Sequence, residues 1–135
     1  MSQILARILF PGVVMALLAG CGAGDAESVK VVDEMNSTLN SILTDLNAVQ
    51  DEASARKALR TISSHQNKEE RLVREFKKLT ENQDLSPRAL SKLNRASTTF
   101  SQLEGRLKEL ARDPKIKKQL QPLIKKYLNG KSPFE

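Results

Sequence analysis

The chain has 135 residues, a formal net charge of +6 and a single cysteine, which leaves room for one modest domain and excludes an internal disulfide framework. Aromatic residues make up only 4% and tryptophan is absent, so burial must rest on Leu, Ile, Val, Met and Ala. A lone histidine, no glycine-rich phosphate loop and no Ser, His and acid grouping at recognisable spacing argue against an enzyme, and no cofactor motif is present.

Residues 1–7 form a short basic segment containing Arg7, residues 8–18 an apolar stretch, and Leu18-Ala19-Gly20-Cys21 follows at once. This is the layout of an export signal. A helix over 8–18 covers only about 16 Å, against the ~30 Å of a bilayer's hydrocarbon core. A permanent span is therefore not expected, and residues 1–20 are read as a signal helix.

The tetrapeptide Leu18-Ala19-Gly20-Cys21 resembles the lipobox of bacterial lipoproteins, in which small residues precede a cysteine that becomes the modified N-terminus. The resemblance implies a diacylglycerol thioether on Cys21, cleavage just before it, and acylation of the new amine. It covers the signal and the residues just after it and is silent on the rest. Lipidation also accounts for an odd thiol in an exported protein. Two or three acyl chains, at ~0.8 kcal/mol per buried methylene, make a durable anchor. Gly22 in place of Asp implies release to the outer membrane, on its periplasmic face.

After a short tether over 21–25, the apolar residues keep helical time. Val32, Met35, Leu39, Ile42, Leu46 and Val49 step by three and four, giving a first helix over about 26–49. Extending that register would put Glu52 and Arg56 on the seam and leave Ala55, Ala58, Leu59 and Ile62 off it. A turn near Gln50 is expected, with Asp51 as N-cap of a second helix. That helix runs to about Asn82 with Ile62, Leu72, Phe76 and Leu79 inward, and with the pairs Glu70 to Arg74 and Lys77 to Glu81 on its surface. The stretch 46–55 is similar to segments of small exported helical bacterial proteins of no assigned function, a likeness that supplies no activity.

Ser86-Pro87 marks the start of a third helix, with serine as cap and proline in the first turn. Its seam is read as Leu90, Leu93, Ala96, Phe100, Leu103, Leu107 and Leu110, with Gly105 off it. Short connections make an up-down-up antiparallel three-helix bundle over 26–113, so the fold class is all-α. Asp113-Pro114 repeats the cap-and-proline signal and opens a short basic amphipathic segment over 114–130. Ile116, Leu120, Leu123, Ile124, Tyr127 and Leu128 form its apolar side, Pro122 kinks or splits it, and Asn129-Gly130 ends it. Residues 131–135 are a tail.

Charge is unevenly spread: acids dominate from 25 to 52, where Lys30 is the sole base, and bases dominate afterwards. Two features could carry recognition. His65 and Glu69 stand one helical turn apart in seam register and could ligate a metal, with Asn36, Ser37, Asn40, Asn94, Ser97 and Thr98 at the same height. Two ligands fall short of a zinc site, so a polar waist of hydrogen-bonded groups, or a simple solvent-facing stretch, is the expected arrangement, without metal.

The second feature is the lysine group Lys115, Lys117, Lys118, Lys125, Lys126 and Lys131 around an apolar stripe, a pattern that attracts anionic surfaces. A first helix rising from Cys21 would place this segment some 35–40 Å from its own membrane at 1.5 Å per residue. Cell-wall polymer, a second membrane or an acidic envelope protein is then within reach, and the plain alternative is a solvated basic face on a helix that caps the bundle core. Nucleic acid is not expected outside the cytoplasm, and no aromatic platform accompanies the lysines.

Two functional readings follow: a lipid-tethered, non-catalytic interaction or scaffold module, or a structural envelope protein binding anionic wall polymer or lipid through its lysines. The second is similar to the small helical murein lipoprotein. That family ends in a lysine used for covalent attachment, whereas this sequence ends Lys131-Ser-Pro-Phe-Glu135.

Overall fold

A computed structural model describes residues 14–81 and 84–130, with side chains from Ala26 onward. Five helices follow one another: α1 (Val14–Asn47), α2 (Glu52–Thr80), α3 (Pro87–Leu110), α4 (Pro114–Gln119) and α5 (Gln121–Tyr127). Among the described residues the chain is all-helical, as the 3.6-residue periodicity requires.

The α1 seam is where the spacing puts it. Val32, Met35, Leu39, Ile42 and Leu46, one face of the helix, and Val49, just past its end at Asn47, are each 0–2% exposed. The helix begins earlier than expected, however, because its backbone runs without a break from Val14 through the stretch 21–25 read as a tether. Residues 1–13 of the expected signal helix lie outside the described residues.

No glycine or proline stops α1. Its end is tightened by backbone bonds from Ala48 to Asp45 and from Val49 to Leu46, at 3.2 and 3.1 Å. Arg106, from α3, donates to the carbonyls of Leu46 and Val49 at 3.4 and 3.2 Å, a second donor for Leu46 and a first for Val49 just past the helix end, where the dipole favours a cation. Asp51 then starts α2. Its carboxylate accepts from the Ser54 N–H at 2.8 Å while the Ser54 hydroxyl accepts from the Asp51 N–H at 3.0 Å, a reciprocal capping box. The bond from the Ser54 N–H foremost, and next one that the Ser54 hydroxyl donates to the same carboxylate at 2.7 Å, hold the Asp51 carboxyl below its ordinary value.

Ser86 caps α3, accepting from the Ala89 N–H at 3.1 Å, with Pro87 in the first turn. The α3 seam differs in one position from expectation: Ala89 is fully buried while Leu90 is 46% exposed. Counting back from Leu110 through 107, 103, 100, 96 and 93 in alternating steps of three and four reaches 89, so a second step of three to 90 leaves the stripe. Gly105 is exposed, with open space where a Cβ would stand.

Packing is centred on α1. Its backbone lies close to both α2 and α3, whereas α2 and α3 barely approach each other. In the upper half, towards the turn between α1 and α2, the gap between them is filled by α4 and α5. Leu39, Ile42, Leu46, Ile62, Phe100, Leu103 and Leu107 pack there with Ile116, Leu120, Leu123, Ile124 and Tyr127. A second, smaller cluster in the lower half joins Val31, Val32, Met35, Leu72, Phe76 and Ala96. The expected three-helix bundle is thus present, but its upper core is four-sided, and residues 114–127 are part of that core.

Candidate functional site

The segment over 114–130 is built as two short helices. The Asp113 carboxylate caps the first, accepting from the N–H groups of Lys115 and Ile116 at 2.9 and 3.3 Å. Leu120 breaks the helix just before Gln121-Pro122 start the second, in keeping with the donor that proline lacks and the crowding it causes. Gly130 closes α5 by close approach: an added Cβ would stand 2.5 Å from the Lys126 carbonyl oxygen.

The apolar stripe faces inward without exception. Ile116, Leu120, Leu123, Ile124 and Tyr127 are 0–7% exposed, and Leu128 packs against them. The stripe is therefore occupied by the protein's own core and is not a free surface for insertion into lipid. Lys115, Lys117, Lys118 and Lys125 stand on the outer side, exposed. Lys126 does not belong with them. Its ammonium lies 3.4 Å from Glu69 and 3.1 Å from Glu70 on α2, and 5.5 Å from the centre of the Tyr127 ring. Lys131 lies outside the described residues.

Glu69 finds its partners here and not in His65. The Tyr127 hydroxyl donates to Glu69 Oε1 at 2.8 Å, and the Tyr127 ring meets Phe100 of α3 edge-on at 6.0 Å. One tyrosine thus ties α5 to α2 and α3. Burial, and next the Glu69 charge and hydrogen bond, push the Tyr127 hydroxyl well above the ordinary tyrosine range, against a smaller lowering by a hydrogen bond with Gln66.

His65 turns to α1, its Nε2 3.7 Å from Asp45 Oδ2, a buried oxygen with no hydrogen-bond partner. The two candidate ligands accordingly face different neighbours, and no grouping of three or more His, Cys, Asp or Glu suited to a metal occurs among the described residues.

The expected polar waist exists with a different membership. Asn36 accepts from the Thr99 hydroxyl at 2.7 Å, joining α1 to α3, whereas Ser37, Asn40, Asn94, Ser97 and Thr98 are exposed. Periodicity put Glu69 and Tyr127 on inward faces but could not pair them, since their separation in sequence depends on how the short helices dock. The usable signal was a glutamate in seam register, which requires a buried donor. Arg106 was missed altogether, because a carbonyl-capping arginine has no sequence signature of its own.

Leu18, Ala19, Gly20 and Cys21 fall within the backbone of α1, and their side chains lie outside the described ones. No helix among the described residues is long and apolar enough to cross a membrane.

Among the described residues, the fold and these surfaces define an all-helical bundle with a basic outer face on its last two helices. Comparison with protein-family models, with curated proteins and with solved structures finds no match to this chain.

Proposed function

We propose that the chain is made as a precursor, lipidated on Cys21 and cut before it, and that the mature bundle is a non-catalytic scaffold or interaction module of the bacterial envelope. The observation that carries the reading is Leu18-Ala19-Gly20-Cys21 behind an apolar stretch too short to span. The lone thiol is then consumed as a thioether. Gly22 in place of Asp favours the periplasmic face of the outer membrane. A bundle whose polar surface is helical throughout suits a spacer that presents one helical face to an envelope partner.

The test is metabolic labelling with a radioactive fatty acid followed by fractionation. The wild-type chain is expected to take up label and sediment with membranes, while Cys21→Ser takes up none and is soluble or unprocessed. Label on the Cys21→Ser variant, or a wild type without label, overturns the reading.

A second reading has its own support in the four exposed lysines Lys115, Lys117, Lys118 and Lys125. With the stripe beneath them buried, they would hold anionic wall polymer or lipid headgroups by charge alone. Such binding weakens steeply as salt screens the charges. Retention on isolated cell walls that survives high salt rules out this mode.

A further inference from the structure

α4 and α5 cover the side of the bundle between α2 and α3 only in its upper half. Tyr127 marks the lower limit of that cover, with Glu69 of α2 on one side and Phe100 of α3 on the other. Below it the two long helices present an apolar strip. On α2, Gln66 and Glu70 meet Tyr127 and Lys126, and Val73, seven residues after Gln66, continues the same line. On α3, Leu93 stands seven residues before Phe100 on the same line, with Leu90 beside it. Val73 and Leu93 are half-buried against the lower cluster. Leu90, at 46%, is the one large hydrophobic residue exposed among those described.

From Gln119, which meets Glu52, to Tyr127, which meets Glu69, the chain runs along α2 toward this strip. The chain leaves α5 at Gly130, folded tightly against the Lys126 carbonyl, and Lys131-Ser-Pro-Phe-Glu135 follows outside the described residues. Phe134 is four residues past Gly130, a reach of up to about 14 Å. Val73 lies about 6 Å along α2 from Glu69, and Leu93 about 10 Å along α3 from Phe100, at 1.5 Å per residue. Both steps along the helices, counted from the residues that Tyr127 touches, are shorter than that length of chain.

We propose that Phe134 seats on this strip against Val73, Leu90 and Leu93, completing the lower half as α4 and α5 complete the upper. Covalent continuity favours this occupant. A short tether holds the phenyl ring at an effective concentration in the millimolar range, which a separate partner would have to exceed. Of the other phenylalanines, Phe76 and Phe100 are already in the core. The proposal is independent of what happens at Cys21.

Photo-crosslinking of the full chain with p-benzoylphenylalanine at position 134 tests it. Irradiation is expected to give cross-links within one molecule, mapped by mass spectrometry to the segments around 73 and 90–93. Cross-links to a second copy, to another protein or to other segments of the chain overturn the proposal, as does a yield no higher than the dark control. A melting cycle gives a second measurement. Phe134→Ala and Leu90→Ala should each lower Tm, and the double variant should fall no further than the larger single one. Additive shifts mean that the two side chains do not touch.

Discussion

The hydroxyl of Tyr127 donates a 2.8 Å hydrogen bond to Glu69, a glutamate only 3% exposed on the inner face of α2. A carboxylate so placed is tolerated because two donors converge on one of its oxygens: the tyrosine and, at 3.4 Å, the Lys126 ammonium. Removing the tyrosine donor leaves the charge under-served. Tyr127→Phe is therefore expected to destabilise the fold by about 1.5–3 kcal/mol, the range for hydrogen bonds to charged groups. Glu69→Gln keeps an acceptor for the hydroxyl and should cost less. Chemical denaturation followed by far-ultraviolet circular dichroism measures both, and equal costs would mean that a neutral acceptor recovers nothing and the charge carries the whole of the bond.

The same tyrosine governs alkaline stability. Its hydroxyl is raised in the folded state, chiefly by burial and next by the Glu69 charge. Below the unfolded value of about 10 both states keep the proton, and the stabilisation is fully present. Above it the unfolded chain deprotonates first, so this contribution falls as pH rises further. Tyr127 is the only tyrosine and tryptophan is absent, so tyrosinate absorbance reports this group alone. In the native protein it should stay flat through pH 10 and appear only with unfolding, whereas in denaturant it should titrate near 10. The difference in stability between wild type and Tyr127→Phe should shrink above that pH, which separates the tyrosine from the many lysines titrating nearby.

Arg106 reaches the carbonyls of Leu46 and Val49 while its other nitrogen pairs with Glu109 at 2.7 Å. That fork is what lets α1 end without glycine. Lysine offers a point charge and no fork, so Arg106→Lys should recover only part of what Arg106→Met loses. The expected cost of Arg106→Met is about 1–3 kcal/mol, as for an acceptor left unserved, here the Val49 carbonyl, since Leu46 keeps the Val49 N–H. If lysine and methionine melt alike, charge plays no part, and packing of the arginine stem carries the effect.

Two glycines should respond in opposite directions. Gly105 lies mid-helix with open space around it, so Gly105→Ala should stabilise by up to about 1 kcal/mol through helix propensity. At Gly130 a Cβ would meet backbone, the Lys126 carbonyl oxygen at 2.5 Å, and backbone cannot step aside as a side chain can. Gly130→Ala should lower Tm, and a neutral result there would show that the end of α5 relaxes freely.

Much of this fold was legible because it follows from period and punctuation. The α1 seam, the caps at Asp51, Ser86 and Asp113, and the split at Pro122 are local facts, each set within a few residues. Leu90 was misread for a local reason as well, since leucine outranks alanine in hydrophobicity while Ala89 holds the better angle. What sequence could not supply was long-range: that α4 and α5 enter the core between α2 and α3, and that Glu69 meets Tyr127 and not His65. The lysine group was only partly legible, because Lys126 is drawn into that contact by a docking the spacing does not encode.

The standing of α4 and α5 leads to the sharpest mutational contrast. A three-helix bundle complete at Asp113 would survive loss of everything after it. Here Leu120 and Leu123 are fully buried beside Ile62, Leu103 and Leu107, so a chain ending at Asp113 would uncover the larger of the two clusters. Such a truncation is expected to lose cooperative melting, in a domain whose whole stability is of the order of 5–15 kcal/mol. Leu123→Ala probes the same contact more gently and should cost about 2–5 kcal/mol as a cavity in the core. Leu90→Ala, at an exposed site, should cost far less. Differential scanning calorimetry of the three variants orders these costs. A truncated chain that still melts in one sharp transition near the wild-type Tm would return α4 and α5 to the role of an appendage.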